Sequence, residues 1–356
     1  MVLAWCHQAY GLPYLNYTYA HKSFKHWYFD IRDNSAFPRK VQIKVQIKVQ
    51  SWFNHGSATS KRTNPVRVRW CGVIPQRSLT VLVDNTTLTD RYFGGEPGLS
   101  FLIETEGKKI LFDTGYSDLF LQNAAKMGIS LLDLDMVVLS HGHLDHSGGL
   151  FPLIRHMTRS IIEGMPIKKP LLVAHPWCFY PRPKFPVPDT GTLLSEQELS
   201  RFFDVCTTTV PQYLTPNLVF LGEIERTFEF ERVDPGVRKI ILPDGSVKED
   251  HILDDSSLAF RTSVGLVIIT GCSHAGICNI VEQAQSVCGE HRIIDIIGGL
   301  HLLKPSPARL KKTGEYLRNL QLKSLHACHC TSLASKIALA GYCPVQDVGT
   351  GMKLEW

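Results

Sequence analysis

The sequence predicts a layered α/β fold, and three observations carry that prediction. From Leu79 onward, short β-type runs alternate with helical stretches at the spacing of an α/β domain. Four apolar strands run directly toward histidines, at Ser140-His141, Cys272-Ser273-His274, Gly299-Leu300-His301 and Cys328-His329. Helix starts and stops are punctuated by N-cap residues and by glycine just past the end. Ligands of α/β proteins gather beyond the carboxyl ends of strands, so imidazoles delivered there converge on one crevice.

Taken in order, Leu79–Val83, Leu99–Glu104 and Lys109–Phe112 read as strands bounded by Gly and Asp. Ser117 opens a helical stretch with Leu119, Phe120, Ala124 and Met127 apolar and Gly128 at C′. Met136–Leu139 is a buried strand that leads into HGHLDHSGG at 141–149. Residues 158–250 hold Pro166, Pro170, Pro176, Pro181, Pro183, Pro186 and Pro188, which break any long element. That stretch reads as an insertion that caps or borders a site. Ser257–Arg261 and Gly265–Thr270 restore the strand pattern. A helix follows, with Ile277, Ile280, Val281, Ala284 and Val287 on one face and Gly289 closing it. Ile293–Ile297 is a strand, Ser306-Pro307 starts a helix in the N-cap and N1 manner, and Leu325–Cys328 is a last buried strand. Thr331 is then expected to cap a final helix ending at Gly341.

Composition separates the chain into two parts. Of 38 Lys+Arg and 33 Asp+Glu, the first 77 residues hold 12 and 2, so the overall charge of +5 belongs to them and the remainder is acidic. This basic, aromatic extension includes the period-2 repeat VQIKVQIKVQ at 41–50, a strand pattern. It reads either as an arm for nucleic acid or anionic lipid, or as a poorly ordered extension with no part in the chemistry. No apolar run reaches the roughly 18–20 residues of a membrane span, and the N-terminus lacks the apolar core of a secretory signal. Ten cysteines show no regular framework, which fits reduced thiols. The expectation is a soluble, cytoplasmic protein without a membrane partner; no motif sets an oligomeric state.

His141, His143, Asp145 and His146 form an H-x-H-x-D-H motif between a strand and a Gly-Gly turn. Imidazole is a common zinc ligand and a carboxylate suits a harder position beside it. In an extended loop, side chains at i and i+2 point the same way. His141 and His143 can therefore grip one metal while Asp145 and His146 reach another. Three histidines and an aspartate within six residues are a poor fit to a chance surface cluster.

SHGHLDHSGG, preceded by ILFDTG at 110–115, resembles the metallo-β-lactamase superfamily, and the resemblance runs from Leu79 to the C-terminus. TVLVDNT (80–86), GEPGLSFLIE (95–104), LFDTGYSDLFLQNA (111–124), DDSSLAF (254–260), GCSHAGICNI (271–280), GGLHL (298–302) and HCT (329–331) narrow it further. They are similar to the branch of 7,8-dihydropterin-6-ylmethyl-4-(β-D-ribofuranosyl)aminobenzene 5′-phosphate synthases. The resemblance implies an αββα sandwich of two mixed sheets with a one- or two-zinc site at one edge. It implies further ligands beyond the first cluster: a third histidine, a bridging carboxylate and a last histidine. This sequence departs from that order. His274 is the best third ligand, and Cys272 is either a thiolate ligand or a buried apolar cysteine. His301 stands slightly ahead of His329 as the closing ligand, with His329 an alternative contact for substrate or phosphate. Asp254 and Asp255 are weak candidates for the bridge. Asp113 is expected either to orient a ligating histidine or simply to form a turn.

A bound zinc lowers the pKa of its water toward about 7 and polarises the attacked oxygen. The leading expectation is therefore a zinc-dependent hydrolase using a metal-bound hydroxide on a small ester, lactone or phosphoester. Asp145, His146 and Asp113 are its expected catalytic residues; His141, His143, Asp145, His146, His274 and His301 its metal ligands. By the resemblance, di-iron redox members carry Glu where this chain has His143, which favours zinc, with iron or manganese as alternatives. The competing expectations are a pterin-pathway synthase acting on a phosphorylated ribose substrate, and a nucleic-acid-associated nuclease or non-catalytic metal-binding protein. In the first two, the partner is a small molecule.

Overall fold

The computed structural model describes residues 18–23, 26–30, 77–232 and 235–356. The chain divides into two compact units, Met1–Pro75 and Gln76–Trp356. In the first, β1 (Thr18–Ser23) and β2 (His26–Asp30) pair antiparallel; the repeat at 41–50, expected as a strand, lies outside the described residues. In the second, β3 (Ser78–Val83), β4 (Ser100–Thr105) and β5 (Lys108–Phe112) precede α1 (Leu119–Lys126). Next come β6 (Met136–Val138), α2 (Leu144–Ser147), α3 (Leu150–Ile162), β7 (Leu171–Ala174), α4 (Glu196–Leu199) and β8 (Asp204–Thr207). A second group begins with β9 (Gln212–Thr215), β10 (Leu218–Phe220), β11 (Lys239–Ile241), β12 (Val247–Glu249), β13 (Ser257–Thr262) and β14 (Gly265–Thr270). It ends with α5 (Ile277–Cys288), β15 (Ile293–Gly299), α6 (Pro307–Leu320), β16 (Ser324–Cys328), α7 (Leu333–Leu339) and β17 (Lys353–Glu355).

These strands form two mixed sheets, ordered β17-β3-β4-β5-β6-β7-β8 and β16-β15-β14-β13-β10-β9, with β11-β12 as a separate ribbon. The central strands are buried on both faces, which is why they read as continuous apolar runs such as GLVIIT in β14. Between the sheets, Leu79, Val81, Phe101, Ile110 and Phe112 meet Phe220, Leu258, Val267, Ile269 and Ile297. The outer face of the first sheet packs Leu82, Leu111 and Val137 against Phe120, Leu150 and Leu153 of α1 and α3. The outer face of the second packs Ala259, Ile268 and Ile296 against Ile277, Ile280, Val281 and Leu317 of α5 and α6. The result is the four-layered αββα sandwich. No helix among the described residues is long and apolar enough to cross a membrane.

Helix boundaries follow local chemistry. Ser306 accepts a hydrogen bond from the Arg309 amide with Pro307 in the first turn, and Gly289 closes α5 in the left-handed conformation. Two expectations need correction. Ser332, not Thr331, caps α7 by accepting from the Ser335 amide; Thr331 Oγ1 instead accepts from the Leu300 amide at 2.9 Å. Residues 158–250 are not one insertion, because they supply β7 and β8 to the first sheet and β9 and β10 to the second. Their prolines fall mainly in the loops between these strands, and strands of three or four residues leave little periodicity to detect.

Candidate metal centre

The parallel strands β5 and β6 of the first sheet and β14, β15 and β16 of the second are followed by Asp113, His141, Cys272 and His274, His301 and His329. Four residues at these strand ends, Asp113, Ser273, His301 and His329, have positive φ of 48–60°. Non-glycine residues rarely adopt that conformation, and sharp turns of this kind concentrate at functional sites. Here they turn each chain abruptly and leave the polar side chains at one edge of the sandwich.

Three groups of donor atoms result, two of them built on the H-x-H-x-D-H motif and the third on Cys272, His301 and Cys330. In the first, the rings of His141, His143 and His274 stand 4.7–5.0 Å apart, centroid to centroid, in edge-to-face pairs. His141 Nδ1 meets Ser140 Oγ at 2.9 Å, which leaves its Nε2 facing His143 Nδ1 at 3.0 Å. His274 Nε2 is buried without a hydrogen-bond partner among the described residues. In the second group, His146 Nε2 and His329 Nε2 are 3.1 Å apart, and Asp145 Oδ2 lies 3.7 and 3.4 Å from them. Donors bound to one tetrahedral ion at about 2.0–2.1 Å are separated by roughly 3.3 Å. The 3.0 Å pair in the first group and the 3.1–3.7 Å separations in the second lie near that spacing. Cys272 Sγ is common to all three, close to His141 and His274 on one side, to Asp145, His146 and His329 on the other, and to His301 and Cys330.

Second contacts hold the donors in place. Asp113 accepts from the Ser140 amide and from Ser140 Oγ, both at 2.7 Å, and its Oδ2 lies 2.6 Å from His146 Nδ1. Asp84 accepts from the His329 amide, and the His329 ring nitrogen Nδ1 meets Asn85 Oδ1, both at 2.9 Å. Each contact fixes one ring nitrogen so that the other presents its lone pair.

The electrostatics separate the two motif-based groups. Burial, reinforced by neighbouring rings, holds His141 and His274 far below the usual imidazole range. Burial and Arg182 bring His143 down to about 3. These three rings are held neutral. Burial opposes protonation of His146 too, but the Asp145 and Asp113 carboxylates outweigh it and push it up to about 9. Burial likewise opposes ionisation of Asp145, yet His146 and His329 hold its carboxyl below the usual range. Negative charge that draws a proton to His146 also favours a cation there. Burial pushes the Cys272 thiol up, so it serves as a ligand where a cation compensates its charge.

Most of the residues expected from the sequence come together: His141, His143, Asp145, His146, His274, Cys272 and Asp113. His301 and His329 fall in different groups. His329 joins Asp145 and His146, whereas His301 stacks on His274 at 4.2 Å and neighbours Cys272 and Cys330. Neither Asp254 nor Asp255 bridges the groups. Asp254 pairs with Arg182, and Asp255 accepts from the Ala275 amide while burial raises it to about 6. The place between the groups holds Cys272. Asp84, Asn85, Arg182 and Cys330 were not read as site residues; the Asp84-Asn85 pair at the end of the first strand was the available signal for two of them.

A cavity of about 450 Å³ opens on this centre, lined by His143, Asp145, Cys272 and His274. Pro97, Tyr116, Val187 and Leu303 give it apolar wall, and Lys184, Arg238 and Lys239 line it together with Asp189 and Asp250.

The family model described as the metallo-beta-lactamase superfamily matches residues 93–282. A 7,8-dihydropterin-6-methyl-4-(beta-D-ribofuranosyl)-aminobenzene-5′-phosphate synthase of Methanocaldococcus jannaschii is 33% identical over 275 residues, covering 71% of this chain and 90% of that protein. A ribonuclease Z of Methanopyrus kandleri is 38% identical over only 72 residues, 24% of its length. A solved structure described as a metal-dependent hydrolase of the beta-lactamase superfamily superimposes with a TM-score of 0.65 at 28% identity, covering 79% of this chain and 99% of the other. With the motif, the layered fold and the matched span in agreement, the chain belongs to the metallo-β-lactamase superfamily.

Proposed function

We propose that the protein is a metal-dependent enzyme that holds two divalent ions, zinc in the first instance, and acts on a small phosphorylated molecule. The observation that carries this reading is the two motif-based donor groups, each with Cys272 within reach and His143 packed beside the first. His141, His143 and His274 would hold one ion, and Asp145, His146 and His329 the other. When bound, such ions supply Lewis acidity and a nucleophile available at neutral pH. The chain's own groups do the rest. Asp113 orients His146, Asn85 orients His329, and Asp145, partly exposed to the cavity, turns its carboxylate to His146 and His329.

The cavity supports an anionic substrate with an apolar body. Lys184, Arg238 and Lys239 complement a phosphate, while Tyr116, Pro97 and Leu303 offer contact to a ring. Hydrolysis of a phosphoester, or of an ester or lactone that carries a phosphate, is the first reading. A synthase reaction on a phosphorylated ribose compound is the second, favoured by the relationship to the Methanocaldococcus jannaschii protein over 90% of its length. The nuclease reading has less support, since the match to ribonuclease Z covers 20% of this chain.

The test is turnover by zinc-loaded protein on phosphomonoesters, phosphodiesters, carboxylic esters and lactones. A second assay offers an arylamine ribofuranosyl 5′-phosphate with a dihydropterin bearing a leaving group. Water-dependent release of product from a phosphorylated substrate supports hydrolysis; a joined product with no hydrolysis of either component supports the synthase. Turnover of neutral lactones alone contradicts the assignment of a phosphorylated substrate.

A further inference from the structure

Arg182 is 1% exposed and lies in the loop after β7, far along the chain from every donor of the centre. Its Nη1 pairs with Asp250 Oδ2 at 2.7 Å and its Nη2 with Asp254 Oδ1 at 2.6 Å. Nη2 also donates to the Trp177 carbonyl at 3.1 Å. Asp254, fully buried, turns its other oxygen to the Gly142 amide and accepts from it at 2.8 Å. Gly142 is the residue between His141 and His143.

The same peptide is held from its other sides. Thr192 Oγ1 donates to the Gly142 carbonyl at 3.1 Å, and a Cβ on Gly142 would stand 2.2 Å from the Cys178 carbonyl oxygen. The segment that carries Arg182 thus encloses the turn that presents His141 Nε2 and His143 Nδ1 to each other. Burying an arginine and two carboxylates is a weak way to stabilise a fold, since desolvation offsets most of their attraction. What the cluster does supply is a fixed position for the Gly142 peptide, held at its amide by Asp254 and at its carbonyl by Thr192.

We propose that Arg182 and Asp254 are positioning residues for the ion held by His141, His143 and His274. They fix the Gly142 peptide so that both imidazoles face one point. The proposal rests on the two-ion reading above.

Cobalt(II) is a suitable probe, because its visible absorption reports ligand geometry separately from turnover. Full-length wild-type protein, Asp254→Asn and the triple variant Arg182→Met, Asp250→Asn, Asp254→Asn are titrated with cobalt(II) against a chelator, with thermal melting in parallel. The triple variant leaves no buried charge in the cluster, so it separates positioning from fold stability. Both variants are expected to melt as cooperative, folded proteins. One of the two cobalt ions should bind about 10–100-fold more weakly, as for other lost outer contacts, with a changed visible band, while the other ion keeps its affinity. Wild-type affinity for both ions with an unchanged spectrum in either variant overturns the positioning role. Absence of cobalt binding by the wild type itself overturns the two-ion reading and this inference with it.

Discussion

Asp113 and Asp145 address opposite nitrogens of one imidazole, His146 Nδ1 at 2.6 Å and Nε2 at 3.7 Å. The first distance is that of a charge-assisted hydrogen bond that sets the ring; the second leaves room for an ion between the two groups. Asp113→Asn should therefore leave the ligand set intact but weaken zinc binding about 10–100-fold, measured by chelator competition. The two strand-end histidines make a sharper test. His329→Ala should lose one ion per chain, whereas His301→Ala should keep both, by elemental analysis of the folded variants; the opposite result would restore the sequence-based ranking. That ranking rested on no local difference. Both histidines follow a buried strand and both have positive φ, so nothing local separates them. What does separate them is Asp84 and Asn85, 245 and 244 residues away in sequence, which hold the His329 backbone and ring. The H-x-H-x-D-H cluster was legible because its geometry is set within six residues. The sharing of Cys272 was not, because it depends on two sheets meeting.

Strand ends carry the chemistry, so the glycines beside them are under steric constraint. Gly298 in β15 has φ +134°, and a Cβ there would meet the Thr270 carbonyl oxygen at 2.0 Å, in the strand that leads to Cys272. Gly298→Ala should cost about 3 kcal/mol, combining an unfavourable backbone region with overpacking, read from denaturant unfolding. A loss below about 0.5 kcal/mol would show that β14 and β15 can separate freely, contrary to their packing. Among elements, the long buried strands and the helices with Ser or Gly at their ends were readable from the sequence, as β14 and α6 illustrate. Strand β8, DVCT, has no buried residue, and β9, QYLT, is half exposed; both are strands because a neighbour offers an open edge, which is information the local sequence does not contain.

At the scale of the molecule, charge and structure divide in nearly the same place. The basic stretch ends at residue 77, and the compact unit that contains both sheets and the whole centre begins at Gln76. Protein starting at Gln76 should thus retain the metal content and turnover of the full chain within about twofold, a change too small to signify lost transition-state contacts. A larger loss would assign the first unit a part in the chemistry. The central claim, however, is that two donor groups share one thiol and hold two ions. Elemental analysis of purified, zinc-supplemented protein tests it most directly, with His143→Ala and Asp145→Ala measured beside the wild type. The expected result is about two zinc per chain in the wild type and about one in each variant. Folded wild-type protein that retains no metal, or variants that retain as much as the wild type, would contradict it.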